Sequence, residues 1–293
     1  MNLDDENESS NIVDRRGDSG GGPRSLGGIG GGRLGIVGMI VVGGIALLLG
    51  QNPLELIGAV NGSGVGGPQI GQPQETAPAK LSGEHDRFIA RVLGSTERTW
   101  GKLFPQQVGQ AYPQPKLVLF EGGVNSGCGQ ADSGMGPFYC PADRNVYLDA
   151  SFFDDLSRRF GAPGDFAAAY VIAHEVGHHI QTVLGISDQV QKARRSGGEA
   201  QGNALSVRQE LQADCFAGVW AFHNRDLLEA GDIEEGLRAA QAIGDDTLQK
   251  KAGARINPEN FTHGTSAQRM RWLQAGLQSG EMQACDTFAA RSL

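Results

Sequence analysis

The sequence predicts an α+β fold that is mostly helical, with a small sheet, and that is preceded by one transmembrane helix. Apolar residues recur at helical spacing through most of the chain after residue 82. Short runs rich in β-branched and aromatic residues, chiefly 116–120 and 145–149, indicate a few strands. An uncharged run of about 17 residues, 34–50, is just long enough to cross a bilayer.

The head of the chain, residues 1–33, is polar and rich in glycine, so it is predicted to be disordered. Four arginines precede the run 34–50, and no lysine or arginine follows it until Lys80. Positive residues stay on the cytoplasmic side, so the N-terminus is predicted in the cytoplasm and the following domain outside it. In a bacterium this indicates a single-pass protein of the inner membrane with a periplasmic domain. A cleaved signal peptide is the alternative, although its charged region would be unusually long.

Residues 51–81 combine proline with glycine, serine and glutamine, which is typical of a linker. The remainder, 82–293, is long enough for one domain with a substantial hydrophobic core. A net charge of −8 and the lack of a Lys/Arg-rich run argue against nucleic acid as a partner. The bilayer, through 34–50, is the partner that the sequence indicates, and oligomeric state has no signature in it.

The first elements of this domain are predicted from apolar spacing and turn residues. A helix is predicted over 84–103 and strands over 116–120 and 145–149, with a Gly-rich loop at 122–137 between the strands. The second strand is a candidate sheet edge, to which an extended peptide could add as a further strand.

The second half of the domain is predicted to be helical. Asp165 is a suitable N-cap and Gly185 a suitable stop for a helix that is apolar on nearly every face, and such a helix belongs in a core. The run 187–196 is typical of a surface helix. Further helices are predicted over 204–222, 232–251 and 266–278.

The chain has four cysteines, and none forms a C-x-x-C pair. An even number is consistent with two disulfides in an oxidising compartment, whereas in a cytosolic protein the four would be buried thiols. Given the predicted location, Cys128 and Cys140 are expected to bridge the Gly-rich loop.

The predicted core helix carries His174-Glu175-Val176-Gly177-His178, an H-E-x-x-H motif. Residues four apart share a helix face, so His174 and His178 can direct both imidazoles at one metal ion. Glu175 follows about 100° round the helix, within reach of a water on that ion. These are the parts needed for metal-assisted hydrolysis with Glu175 as general base.

A second pair of acidic residues, Glu210 and Asp214, lies four residues apart on another predicted core helix. A catalytic zinc ion commonly has three protein ligands, and His/His/Glu is one such set. Glu210 is therefore predicted as the third ligand, and Asp214 as the acceptor that fixes the ring of a ligating histidine, His174 in particular. An ordinary surface-facing acidic pair is the alternative.

His263 precedes a predicted helix, since Thr265 and Gln268 have the spacing of a capping box. On a loop edge, His263 could reach into a cleft and donate to the oxyanion that forms when water attacks a carbonyl. Arg269 could pair with Asp214 or with another buried acid. A purely local structural role is the alternative for both residues.

The motif His174-Glu175-x-x-His178 with a downstream Glu210-x-x-x-Asp214 resembles the gluzincin pattern of zinc peptidases. The segment from His263 to Arg269 is similar to the His-Pro-x4-Arg segment of membrane-linked peptidases related to HtpX, with Gly264 in place of the proline. The whole chain most closely resembles the bacterial "putative neutral zinc metallopeptidase" family. The residues that carry this resemblance are 11–17, 136–141, 174–179, 212–220 and 285–288.

The resemblance implies a single-pass membrane protein with a zincin-like metallopeptidase domain that holds one zinc ion and acts on peptides or proteins. In this context the spacing also suggests a second disulfide between Cys215 and Cys285. Two alternatives remain at the level of sequence. One is a membrane-tethered scaffold that keeps zinc without turnover, and the other is an amidase or endopeptidase that acts on cell-wall peptides.

Overall fold

The computed structural model describes residues 1–17, 81 and 83–293, which form a mostly helical α+β fold with two small sheets. In chain order its strands are β1 Ile12–Asp14, β2 Lys116–Phe120, β3 Gly123–Ser126, β4 Gly129–Asp132, β5 Phe138–Cys140 and β6 Asn145–Asp149. Its helices are α1 Glu84–Leu103, α2 Ser151–Arg158, α3 Asp165–Val183, α4 Ile186–Ser196, α5 Glu199–His223, α6 Asp232–Ala242, α7 Asp245–Lys251 and α8 Ser266–Ser279.

The larger sheet has the order β1-β2-β6-β5. The first three strands are parallel, and β5 pairs with β6 in the antiparallel direction at the edge. The predicted sheet edge at 145–149 is therefore wrong, because the three residues of β5 cover that side of β6. Strands β3 and β4 form a separate hairpin inside the predicted Gly-rich loop.

Residues 1–17 fold onto the domain, so the predicted disorder of 1–33 is wrong for this part. Strand β1 pairs with β2 with Ile12 opposite Leu117, and Met1, Leu3 and Ile12 are buried in the main core. Arg16 donates to both carboxylate oxygens of Asp86 in α1, at 2.8 and 2.7 Å. The few apolar residues of this segment pack into a core that the rest of the domain forms. The segment is therefore ordered although its composition is polar.

The strand pairing bears on the predicted membrane topology. Hydrogen bonds join β1 to β2, so residues 12–14 and 116–120 must lie on the same side of a membrane. A single crossing by 34–50, with the N-terminus inside and the domain outside, cannot be combined with this sheet. The predicted span 34–50 and the linker up to residue 80 lie outside the described residues. No helix in the part of the chain that is described has the length and apolar character needed to span a membrane.

Helix α3 lies at the centre of the helical layer and is buried along almost its whole length. It packs against α5, which in turn crosses α8 at very close range, since a Cβ atom at Gly276 would overlap the carbonyl oxygen of Cys215.

The disulfides Cys128–Cys140 and Cys215–Cys285 are both formed, as predicted. The second one joins α5 to the C-terminal segment.

The predicted bounds of several later helices differ from those in the structure. The predicted helix over 232–251 is two helices, α6 and α7, that are separated at Ile243 and Gly244. Gly244 lies against the backbone of Ser266, where a side chain would overlap it. Helix α5 begins at Glu199, earlier than predicted, and α2 is not predicted at all.

Candidate metal centre

Two histidines of α3 and one glutamate of α5 converge at the centre of the helical layer. The Nε2 atom of His174 lies 3.2 Å from Oε2 of Glu210, and Nε2 of His178 lies 3.4 Å from Oε1 of the same carboxylate. Two ligands that are each ~2.1 Å from a tetrahedral zinc ion are about 3.4 Å apart. The three side chains therefore have the donor types and the spacing of a zinc ligand set, and they form a group that could hold a metal ion.

The remaining nitrogen of each ring is held by another side chain. Nδ1 of His174 lies 2.8 Å from Oδ1 of Asp214, and Nδ1 of His178 lies 2.9 Å from Oε1 of Gln181. An acceptor at Nδ1 places the proton there and leaves the Nε2 lone pair free for a metal. Gln181 is itself fixed, because its amide nitrogen donates to the carbonyl oxygen of Gln209 at 2.6 Å.

Asp214 is the hub of a fully buried network. Arg269 donates to it from Nε at 2.9 Å and from Nη2 at 2.8 Å, and the hydroxyl of Tyr170 donates to it at 2.6 Å. Asp214 is 0% exposed and Arg269 is 2% exposed, so each charge depends on the other for stabilisation. The structure thus brings Asp214 and Arg269 together beside His174, as the sequence predicts.

The carboxylates of this group attract positive charge. Burial acts to lower the pKa of His174, but the charge and hydrogen bond of Asp214 outweigh it and raise the pKa. Burial likewise acts to raise the pKa of Glu210, and the imidazole of His178 outweighs it and keeps that pKa well below its usual range. A cluster that draws protons onto its histidines is a cluster that a metal cation would neutralise.

Glu175 lies next to this group and is 8% exposed. Burial raises its pKa, while the imidazoles of His174 and His178 act in the opposite direction. The backbone N–H of Tyr139 in β5 also favours the charged carboxylate. Glu175 therefore lies between the metal ligands and the edge strand, where a proton acceptor of raised pKa is suited to general base chemistry.

His263 lies on the loop before α8, close enough to Glu210 for their charges to interact. Its Nδ1 is 3.0 Å from Oδ1 of Asp245, the first residue of α7. Oδ2 of Asp245 also accepts the backbone N–H groups of Thr262, His263 and Gly264, at 2.7, 2.7 and 3.0 Å. The negative charges of Asp245 and Glu210 outweigh burial and raise the pKa of His263.

Comparison with known proteins gives a consistent result over nearly the full length. Residues 1–288 match the family described as "Putative neutral zinc metallopeptidase". The "Uncharacterized protein YpfJ" of Escherichia coli (strain K12) is 46% identical over 98% of this chain and 99% of its own length. The "Uncharacterized protein Rv2575" of Mycobacterium tuberculosis (strain H37Rv) is 40% identical over 85% of this chain and 86% of its own.

This chain belongs to the family described as "Putative neutral zinc metallopeptidase". The family implies zinc, and His174, His178 and Glu210 are the residues that could hold it. No solved structure matches the chain.

Sequence reasoning misses several members of this candidate metal centre. Asp245 and His263 are 18 residues apart, and they meet only because the segment between α7 and α8 folds back on the start of α7. The contact of Gln181 with His178 could be predicted from the sequence, because Gln181 lies three residues after His178 on the same helix face. Tyr170 lies four residues before His174, so the 3.6-residue period alone places its hydroxyl near the same neighbours.

Proposed function

We propose that this chain is a zinc-dependent metallopeptidase that hydrolyses peptide bonds with Glu175 as general base. The observation that carries the proposal is the convergence of both Nε2 atoms on Glu210, with spacing suited to one tetrahedral ion. The zincin-like fold is part of the same proposal. It is supported by the helix that bears the motif and by an antiparallel edge strand, β5, that lies beside that helix.

Zinc, when bound by His174, His178 and Glu210, supplies Lewis-acid chemistry that makes a water more acidic and polarises a carbonyl group. Glu175 accepts a proton from the attacking water, and its raised pKa suits it to pass that proton on to the leaving amine nitrogen. Asp214 and Gln181 hold the two imidazoles so that Nε2 of each faces the ion.

His263 is proposed to stabilise the negative charge that develops on the carbonyl oxygen. Its protonated ring would be a hydrogen-bond donor, and Asp245 favours that form. Asp245 acts on the reaction only through His263, because it holds the ring and the backbone of the same loop.

The extended substrate is proposed to add to β5. This strand ends the larger sheet within the described residues, and Tyr139 at its centre lines the cleft beside His178 and Glu210. A peptide paired with β5 would run across the site where Glu175 and the metal ligands meet.

The folded unit is proposed to work outside the bacterial cytoplasm, and the support for this is its two disulfides. Attachment to the bilayer through 34–50 is retained as a proposal from the sequence alone. Residues 1–17 and the domain would then have to lie on the same side of that membrane, because they share a sheet.

The test uses the full chain, Glu175→Gln as the variant and Glu259→Gln, at an exposed position, as the control. Bound zinc is measured by mass spectrometry and cleavage is measured on a mixed peptide library. We expect all three proteins to bind one zinc ion, and Glu175→Gln to lose about 10²- to 10⁴-fold in cleavage rate.

Two results would contradict the proposal in different ways. If the wild-type chain binds no zinc, the ligand assignment fails. If it binds zinc but neither it nor the control variant cleaves any peptide, the scaffold alternative is favoured. Cleavage restricted to cell-wall peptides would instead favour the amidase or endopeptidase alternative.

A further inference from the structure

A pocket opens next to the metal ligands. It is open to solvent and is lined by residues of β5, α3, α4 and α5. His178 and Glu210 form its inner wall, Tyr139 lies at one side, and α4 contributes Val190 and Arg194. A substrate residue next to the cleaved bond would therefore contact α4.

Arg194 is set into this wall by the packing of α4 on α5. Its side chain runs over Gly202, where a Cβ atom would lie 3.6 Å from Cγ and 3.7 Å from Nε of the arginine. The stem of Arg194 therefore lies close to α5 at Gly202. Arg194 lines the same pocket as Glu210.

The guanidinium of Arg194 has neither a hydrogen bond nor an ion pair within the described part of the chain, although the side chain is partly buried. Other partly or fully buried arginines are paired, as Arg269 is with Asp214 and Arg16 is with Asp86. Asp188 lines the same pocket but is exposed and makes no ion pair with Arg194 there.

Electrostatics agree with this geometry. Burial lowers the pKa of Arg194, and the charge of Glu210 compensates for only part of that effect. A metal ion on Glu210 would take up that negative charge, so Arg194 would face the pocket without any compensating anion. A partly buried guanidinium that faces an open pocket without an anionic partner is available to a ligand that carries one.

We propose that Arg194 binds a carboxylate of the peptide substrate, so that the enzyme prefers peptides with a carboxylate close to the cleaved bond. The planar guanidinium can donate two parallel hydrogen bonds to a carboxylate, which gives both affinity and orientation. The carboxylate is that of an Asp or Glu side chain or that of a free C-terminus. The inference rests on the proposed peptidase function and names its substrate class.

The test uses zinc-loaded full-length protein and a peptide library in four versions. The versions carry Glu or Gln at one fixed central position, and a carboxylate or a carboxamide at the C-terminus. Arg194→Gln is the variant, and Arg195→Gln is the matched control, because Arg195 is the next residue on α4 and is exposed. Cleavage is measured as kcat/KM, and binding is measured by calorimetry on the Glu175→Gln background.

We expect the wild type and Arg195→Gln to prefer one carboxylate version by about 10- to 100-fold, and Arg194→Gln to lose that preference. A preference for Glu over Gln assigns the carboxylate to a side chain. A preference for the free C-terminus over the carboxamide assigns it to the chain end. Zinc content should be the same in all variants.

The inference is overturned if Arg194→Gln keeps the preference, or if the wild type shows none in either measurement. Binding decides this even where no peptide is cleaved, so a failure of the peptidase function is distinguishable from a failure of the role given to Arg194. An equal loss in Arg194→Gln and Arg195→Gln would indicate general attraction to the basic end of α4 and would also overturn it.

Discussion

Two carboxylate–histidine pairs lie near Glu210, and they are built differently. In the first, Asp214 lies 2.8 Å from Nδ1 of His174, and in the second, Asp245 lies 3.0 Å from Nδ1 of His263. Asp214 is held by side chains from other helices, namely Arg269 and Tyr170. Asp245 is held mainly by backbone N–H groups of the loop that carries its own histidine.

The difference indicates what each pair does. The ring of His174 is fixed between two helices and its Nε2 faces the metal position, so the Asp214 pair sets the geometry of a ligand. The ring of His263 is fixed to a loop and is not in the ligand group, so under the proposed function the Asp245 pair would set the direction of a donor. Variants of the first pair should therefore change metal affinity and folding, and variants of the second should change turnover.

The largest effect is expected when the first pair is broken by Asp214→Asn. Arg269 would be left as a buried charge without its partner, which costs about 3–5 kcal/mol of stability. Zinc affinity should fall by about 10- to 100-fold, because His174 loses the acceptor that orients it. Urea unfolding of the metal-free full chain and competitive zinc titration measure the two effects.

The double variant Asp214→Asn with Arg269→Met is the control for the first pair. It removes the unpaired charge, so stability should recover in part while zinc affinity stays low. Unchanged zinc affinity in Asp214→Asn would show that this pair serves folding alone.

The second pair is tested by His263→Ala and Asp245→Asn. Removal of an oxyanion donor typically costs about 10²–10³ in kcat, and we expect this loss for His263→Ala with zinc affinity unchanged. Asp245→Asn should lose less, about 10-fold or more, because the ring remains but is held less well.

The combination of the two substitutions separates positioning from simple structural damage. If Asp245 acts through His263, the double variant should be no slower than His263→Ala alone. Additive losses, or a loss of zinc from either single variant, would contradict the division of labour between the pairs.

A smaller effect on stability is expected from pH. The pKa of Asp245 is lowered, since burial acts to raise it but His263 and the backbone N–H groups outweigh burial. Its contribution to stability is present above its unfolded pKa of about 3.9 and is lost as pH falls through the lowered folded value. The pKa of His263 is raised, so its contribution is present below about 6.5 and is lost as pH rises through the raised folded value.

The stability difference between the metal-free wild type and Asp245→Asn should thus be largest between about pH 4 and 6.5, at about 1–3 kcal/mol, and should shrink as pH rises through the raised pKa of His263. Urea unfolding across this range measures it. Asp226→Asn, at an exposed position, is the control and should leave the free energy of unfolding close to that of the wild type. A difference of the same size at every pH would mean that the charges of the Asp245 pair are not coupled.

The sequence predicts well those parts of the molecule that depend on short-range spacing. The bounds of α1, β2 and β6 are found as predicted, and the capping box of Thr265 and Gln268 starts α8. The spacing of His174, His178, Glu210 and Asp214 places all four on two buried helices for the same reason.

Features that depend on contacts between distant segments are not accessible in this way. Strand β1 has three residues, too few for a periodic pattern, and β2 makes it a strand. Asp245 lies in what looks like the middle of one helix, until the close approach of Gly244 to Ser266 divides that helix in two. Arg194 lies in a predicted surface helix, and only the position of α4 beside the pocket makes it part of the site.

The three residues of β1 also have a consequence for the solution behaviour of the molecule. Without residues 1–17, the N–H and C=O groups along one side of β2 would have no partner, and β2 would become a bare sheet edge. Such an edge is a template for pairing with another chain, so a fragment that starts at residue 82 should aggregate or recruit a strand from a second molecule. By covering this side of β2, residues 1–17 would thus protect the molecule from self-association.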